Sequence, residues 1–277
     1  MRNCDVPLRS SVADYDKCVG LSRNPKKGGL QNRRPDVTAD YATYRNQGAR
    51  AHSVPQSGNW PLAEAGWQRS LYDETYEGGW LEEIRTEVFK AAKGRCVLCS
   101  VFQPRTLDHF LPKESWPSLS VLTLNLVAAC ADCNRIKGTL ANASPGQQFV
   151  HPYFDAVPMN EVFLHCSPVK DGVMSPGFSI ESCAGMDNDL LARLRWQFDT
   201  LELDEMYRDE AMLFFGERKD DWRESAEIDW ITLARQIERE CSSAAKATGR
   251  NMWKPAFLQG LLDCPSFGAS PLTFLGQ

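Results

Sequence analysis

A chain of 277 residues that is 43% hydrophobic can bury one large core or two modest ones. No stretch approaches the roughly twenty apolar residues that cross a bilayer, and residues Met1 to Asp5 are polar, so neither a membrane span nor a secretory leader is expected and the protein is read as cytoplasmic. The net charge of −5 is uneven: residues 1–60 carry ten Lys or Arg against five Asp or Glu, residues 61–84 one against six, residues 85–140 eight against four, and residues 141–277 twelve against twenty-one. Positive charge collects in two stretches of the first half, where an anionic partner would sit, and the acidic second half should not bind nucleic acid unaided.

Residues 1–60 are rich in Gly, Pro, Asn and Arg, as in the runs Asn24 to Gly29 and Asn32 to Pro35. They read as a basic extended arm with one short helix over residues 36–50. From about residue 60 to 93 the pattern turns helical, with Leu81, Ile84, Val88 and Phe89 on one face before Gly94. This helix lies in a domain expected over residues 61–155 and delivers the first of two cysteine pairs, Cys96-Val-Leu-Cys99 and Cys130-Ala-Asp-Cys133. A CxxC turn points two thiolates at one ion. Two such turns complete the tetrahedral sulfur shell of zinc and leave no position for water, so the Zn²⁺ expected here is structural. The other cysteines, Cys4, Cys18, Cys166, Cys183, Cys241 and Cys264, do not pair at ligand spacing and are expected to be reduced thiols.

Between the pairs the chain predicts a small ββα unit: a strand over residues 105–109, a Pro- and Ser-rich loop over 111–120, a second strand over 126–129, and a short helix over 132–140 whose start is pinned by Cys130 and Cys133. Strand alternation turns Asp108 and His109 to opposite sides. The aromatic segment from Phe149 to Asp155 is turn-prone, and its His151 is read as a packing residue. Short strands are expected over residues 162–165 and 178–180. From Asp187 onward the pattern is helical, with one apolar stripe of Leu190, Leu191, Leu194, Phe198 and Leu201, a second of Met206, Leu213 and Phe214, and a third of Ile231, Leu233, Ile237 and Cys241. The fold class is therefore α+β, a ββα core with structural zinc embedded in a mainly α-helical protein, with residues 156–277 as a helical C-terminal region. No P-loop and no dinucleotide-binding glycine pattern is present.

The residues from about Gly94 to Leu140 resemble the HNH endonuclease family in its four-cysteine zinc subclass. Asp108-His109, Asn125-Leu126-Val127 and Cys133-Asn134-Arg135-Ile136-Lys137-Gly138 follow the family's order. The resemblance implies His109 as general base, Asp108 and Asn134 as ligands of one catalytic Mg²⁺ or Mn²⁺, and Asn125 as a buried brace for the loop that aims His109. The chemistry agrees, since a neutral imidazole accepts a proton from water and sparse oxygen ligands leave a hard cation room for a phosphate. Lys113, Arg135 and Lys137 are candidate phosphate contacts. Taken singly, each residue has an ordinary structural explanation. The implied activity is hydrolysis of DNA phosphodiester bonds, with RNA left open.

More weakly, a basic N-terminal part, a central HNH core, the His151-Pro152-Tyr153-Phe154-Asp155 segment and a helical tail resemble the HNH proteins of anti-phage defence modules of the Septu type and of some retron systems. These work with an ATPase. A protein partner, with an ATPase as the candidate, is thus expected on the C-terminal helices, where Trp222, Trp230 and Trp253 are candidate anchors. A stand-alone restriction-type enzyme and a non-catalytic zinc-ribbon adaptor are the alternatives.

Overall fold

The computed structural model describes residues 3–56, 60–141 and 144–276. Two compact units share the chain, Met1–Ala156 and Val157–Gln277.

Unit 1 begins with helices α1 (Ser11–Leu21) and α2 (Lys26–Asn46), where an extended arm is expected from composition. The Oγ of Ser10 caps α1 by accepting from the Ala13 N–H. Helix α2 continues through Pro35 because its buried face, Leu30, Val37, Tyr41 and Tyr44, packs at helical spacing. Packing thus outweighs the poor helix propensity of the Gly- and Asn-rich sequence. Gly29 matters here, since a methyl at that position would overlap the ring of Trp67 on α3 (Leu62–Ser70). Tyr15 ties the three helices together: its hydroxyl donates to the Leu30 carbonyl at 2.8 Å and accepts from Gln68 Nε2 at 2.6 Å.

Where one helical stretch is expected over residues 60–93, the chain makes α3, a 3₁₀ turn at Leu71–Thr75, a loop through Gly78 and Gly79, and α4 (Glu82–Ala91). The break is local, because Gly79 passes so close to the Glu74 carbonyl that no side chain fits. Leu81, Ile84 and Val88 are all fully buried. Beyond them, β1 (Thr106–His109) pairs antiparallel with β2 (Leu126–Ala129), in the register Thr106 to Ala129 and His109 to Leu126, and α5 (Ala131–Lys137) follows at once.

In unit 2, β3 (Leu164–Lys170) and β4 (Val173–Ile180) form a hairpin closed by Asp171-Gly172, both at positive φ (52° and 77°). The ladder slips between Ser167 and Val169, around Pro168, which has no N–H to donate. Helices α6 (Asn188–Thr200), α7 (Leu203–Ile228), α8 (Trp230–Thr248) and α9 (Trp253–Asp263) follow, with two short ones, α10 (Pro265–Ala269) and α11 (Pro271–Leu275). Asp187 and Asp229 cap α6 and α8 by accepting from Leu190 and Thr232 N–H, each at 2.7 Å. Leu194, Leu201, Tyr207, Phe215, Trp222, Ile237 and Phe257 build an apolar, aromatic core. Trp222 is fully buried with its Nε1–H on Glu240 at 3.1 Å, so it is a core residue and not a surface anchor. Trp230 and Trp253 are half-buried against Phe267 and Phe214. The two units together make a mixed α+β protein, and among the described residues no helix is long and apolar enough to cross a membrane.

Candidate active site and metal centre

The four cysteines of the two CxxC pairs are buried and meet, their Sγ atoms all within 4.8 Å of one another. Cys99 Sγ lies 3.9 Å from Cys130 Sγ, matching the roughly 3.8 Å edge of a sulfur tetrahedron with bonds of about 2.3 Å to zinc. The first knuckle is pinned to the sheet by the Val97 N–H on the Ala128 carbonyl at 3.1 Å. The second starts α5, where Cys130 is the N-cap and its Sγ accepts from the Cys133 N–H at 3.5 Å. The donor set suits Zn²⁺: four buried sulfurs without a cation would be a costly cluster of polar groups. This centre holds β1, β2 and α5 together from one side.

On the other side, β1 ends at Asp108 and His109, with only 5% and 8% of their surfaces exposed. The Nε2 of His109 lies 2.9 Å from the Ser120 carbonyl. Because a carbonyl only accepts, Nε2 carries the proton and Nδ1 keeps its lone pair. Burial pushes the imidazole pKa down to about 3, with Lys113 and Lys137 adding to the effect and the Ser120 carbonyl opposing it. The near-neutral titration expected from histidine in general is thus replaced by a group held neutral throughout the physiological range.

Asn125, fully buried, braces this loop. Its Oδ1 accepts from the Leu111 N–H at 2.8 Å, and its Nδ2 donates to the Leu111 carbonyl at 3.0 Å and the Leu119 carbonyl at 3.3 Å. Its own carbonyl accepts from the Phe110 N–H at 2.8 Å. One side chain therefore fixes both ends of the segment that carries the Ser120 carbonyl to His109.

Lys137 departs from expectation. As a phosphate contact it would have to be exposed, yet it is wholly buried, with Nζ donating to the His109 carbonyl at 2.7 Å and lying 2.9 Å from Asp108 Oδ2. The reason is helical spacing: Lys137 is one turn beyond Cys133 and shares its inward face. That signal is legible in the sequence. Burial pushes the Asp108 pKa up, against the charge and hydrogen bond of Lys137 and the backbone N–H of His109. Asn134 is half-buried on α5, with no side-chain hydrogen bond among the described residues. Arg135 is exposed. Lys113 is half-buried, its Nζ 4.5 Å from the Tyr72 ring centroid.

Tyr72 was not singled out by sequence, and no motif marks it. Its ring lies 4.6 Å from that of His109, and its hydroxyl donates to the Leu107 carbonyl at 2.6 Å. His151 is fully buried, its ring 4.2 Å from Phe110 and its Nε2 3.0 Å from the Tyr44 hydroxyl. Among the described residues, four of the ten basic residues of the first segment are ion-paired: Arg9 with Asp14, Glu83 and Glu87, Arg33 with Asp36 and Glu64, Arg34 with Asp16, and Arg50 with Asp155.

No protein-family model matches the chain, and no solved structure matches it. Two curated proteins are similar to part of it. Protein ea31 of Escherichia phage lambda is 31% identical over 120 residues, covering 42% of this chain and 40% of that protein. The Septu protein PtuB of Bacillus thuringiensis is 30% identical over 95 residues, covering 32% of this chain and 36% of that protein. The matched part thus spans two-fifths or less of each relative.

Proposed function

We propose that the chain is a metal-dependent HNH endonuclease that hydrolyses DNA phosphodiester bonds, with His109 as general base. The supporting observation is the tautomer lock: Nε2–H is held by the Ser120 carbonyl, which leaves the Nδ1 lone pair without a hydrogen bond among the described residues, at the end of a strand beside the four-cysteine cluster. Such a nitrogen can take the proton of an attacking water, and Asn125 keeps it aimed by fixing the loop backbone. Asp108 and Asn134 would hold Mg²⁺ or Mn²⁺. The fit rests on the donor chemistry: the Asp108 carboxylate, whose Oδ2 faces Lys137 at 2.9 Å, and the Asn134 amide, which makes no side-chain hydrogen bond among the described residues, form a sparse oxygen set of the kind hard cations take. When bound, that ion offsets charge on the phosphate and on the leaving oxygen. Lys137 keeps the buried Asp108 carboxylate compensated and anchors the backbone of His109. Lys113, over the Tyr72 ring that adjoins the imidazole, and the exposed Arg135 of α5 would meet phosphates.

The similarity to the Septu protein supports placing this chain in a bacterial anti-phage complex with a protein partner; the cytoplasm as its place and an ATPase as that partner are carried over from the sequence reading. The test is incubation of purified protein with plasmid DNA and with RNA in Mg²⁺, Mn²⁺ or EDTA. Strand scission that needs either cation and stops in EDTA is expected; intact substrate under every condition contradicts the reading.

A further inference from the structure

Four aromatic rings and three cations lie in one row that starts at His109. Lys113 Nζ sits over Tyr72 at 4.5 Å, and the Tyr76 ring stands edge-on to Tyr72 at 5.6 Å and 81°. The Arg85 guanidinium lies 5.1 Å from the ring centroids of both Tyr76 and Phe89. Arg85 Nη2 donates to the Arg105 carbonyl at 3.0 Å, and Arg85, Thr86, Phe89, Pro104 and Arg105 line an open cleft of about 430 Å³.

The cations of this row have no carboxylate partner among the described residues, whereas Arg9, Arg33, Arg34 and Arg50 are ion-paired. The carboxylates that would ordinarily meet a cation on α4 are engaged: Glu83 and Glu87 hold Arg9, and Glu82 accepts from the Gly78 N–H. No carboxylate pairs with Lys113, Arg85 or Arg105 among the described residues, and Arg105 is exposed. Tyr76 keeps 47% of its surface exposed although Tyr72 and Arg85 pack against it and hold its ring in place. A rigid, half-exposed ring between unpaired cations gives an unpaired base a face to stack on and its phosphates positive partners.

We propose that this row is a track for single-stranded nucleic acid leading away from the scissile phosphate, with Tyr76 stacking one base, Arg105 meeting a backbone phosphate, and Arg85 stiffening the platform between Tyr76 and Phe89. The proposal rests on the nuclease reading of His109 and adds the conformation of the substrate, a strand with splayed bases. A duplex buries the base faces that Tyr76 needs.

The test uses the full chain with His109→Ala as a non-cleaving background and measures anisotropy of a labelled twelve-nucleotide oligo-dT over a salt series. Tyr76→Ala with Arg105→Glu should weaken binding by about tenfold or more and lower the salt slope by about one, while Tyr76→Phe should bind as the parent does and a twelve-base-pair duplex should be indifferent to Tyr76→Ala. Because both side chains are exposed, the fold should survive, and circular dichroism checks it. Unchanged oligo-dT affinity and salt slope overturn the track, even if the plasmid assay shows His109-dependent cleavage. Loss of binding in the track variants, together with a wild-type protein that never cleaves, upholds the track and refutes the catalytic reading. Equal loss for duplex and single strand also overturns the proposal.

Discussion

Both units bury polar groups, among them Arg193 of unit 2, which pairs with Asp189 at 3.0 Å, but they arrange the buried groups around their asparagine braces differently. In unit 2 the buried Asn251 accepts from the Phe163 and Leu164 N–H groups and donates to the Glu161 carbonyl, a brace much like that of Asn125, but it sits in a core of Leu, Phe and Trp. In unit 1 the Asn125 brace adjoins three buried ionisable groups, Asp108, His109 and Lys137. Ionisable groups out of water destabilise unless paired, and a fold that needed only stability would replace them with apolar residues. Unit 1 keeps them around one strand end beside the four-cysteine cluster, and the proposed chemistry is assigned there for that reason.

The largest expected effect is on the zinc centre. Cys96→Ser or Cys130→Ser should lose about one zinc per chain by elemental analysis and open unit 1, but not unit 2, to limited proteolysis, because zinc supplies about 10 kcal/mol or more to sites of this kind. A zinc-free wild type with an equally resistant unit 1 removes the basis for the comparison. Next comes the buried ion pair. Lys137→Met strands Asp108 and should cost about 3–5 kcal/mol in urea unfolding of unit 1. Trp222→Ala should cost a similar amount through a cavity in unit 2, yet leave cleavage per folded molecule unchanged. If Trp222→Ala abolishes cleavage in protein that is still folded, the chemistry is not confined to unit 1.

A smaller effect separates the units by pH. Folded His109 has its pKa lowered to about 3, whereas the unfolded chain protonates it near 6.5. Between those values the unfolded state binds the extra proton, so the His109 contribution is full above about pH 6.5 and is lost as pH falls, with a slope of at most about 1.4 kcal/mol per unit. His109→Gln should flatten this acid limb for unit 1 and leave that of unit 2 unmoved, as urea midpoints at pH 7 and pH 4.5 will show. Smallest of all, Arg34→Ala breaks an ion pair with Asp16 that is nearly half exposed on both sides and should leave the urea midpoint of unit 1 unmoved. A lowered midpoint means the ion-paired first segment matters more to unit 1 than surface pairs normally do.

What the sequence made legible was whatever depends on spacing. The CxxC pairs meet, the strands at 105–109 and 126–129 pair, and the stripes after Asp187 form helices, because each follows from a short period read along the chain. What escaped depends on contacts made across the chain. Composition hid α1 and α2, since their helicity comes from burying Tyr15, Leu30, Tyr41 and Tyr44 and not from propensity. Lys137 was classed by its charge although its one-turn spacing from Cys133 put it inside. Tyr72 reaches His109 from a 3₁₀ turn nearly forty residues upstream, with no local signal. The Asp171-Gly172 turn, by contrast, was readable as a hairpin and extends the strand pair well beyond the short segments expected there.

Whether His109 Nδ1 is the base is decided by cleavage of plasmid DNA in Mn²⁺ by wild type and His109→Ala side by side, with zinc content and oligonucleotide affinity measured on the same samples. The expected result is a loss of at least about a hundredfold in cleavage rate with zinc and affinity unchanged. Near-normal cleavage by His109→Ala would contradict it.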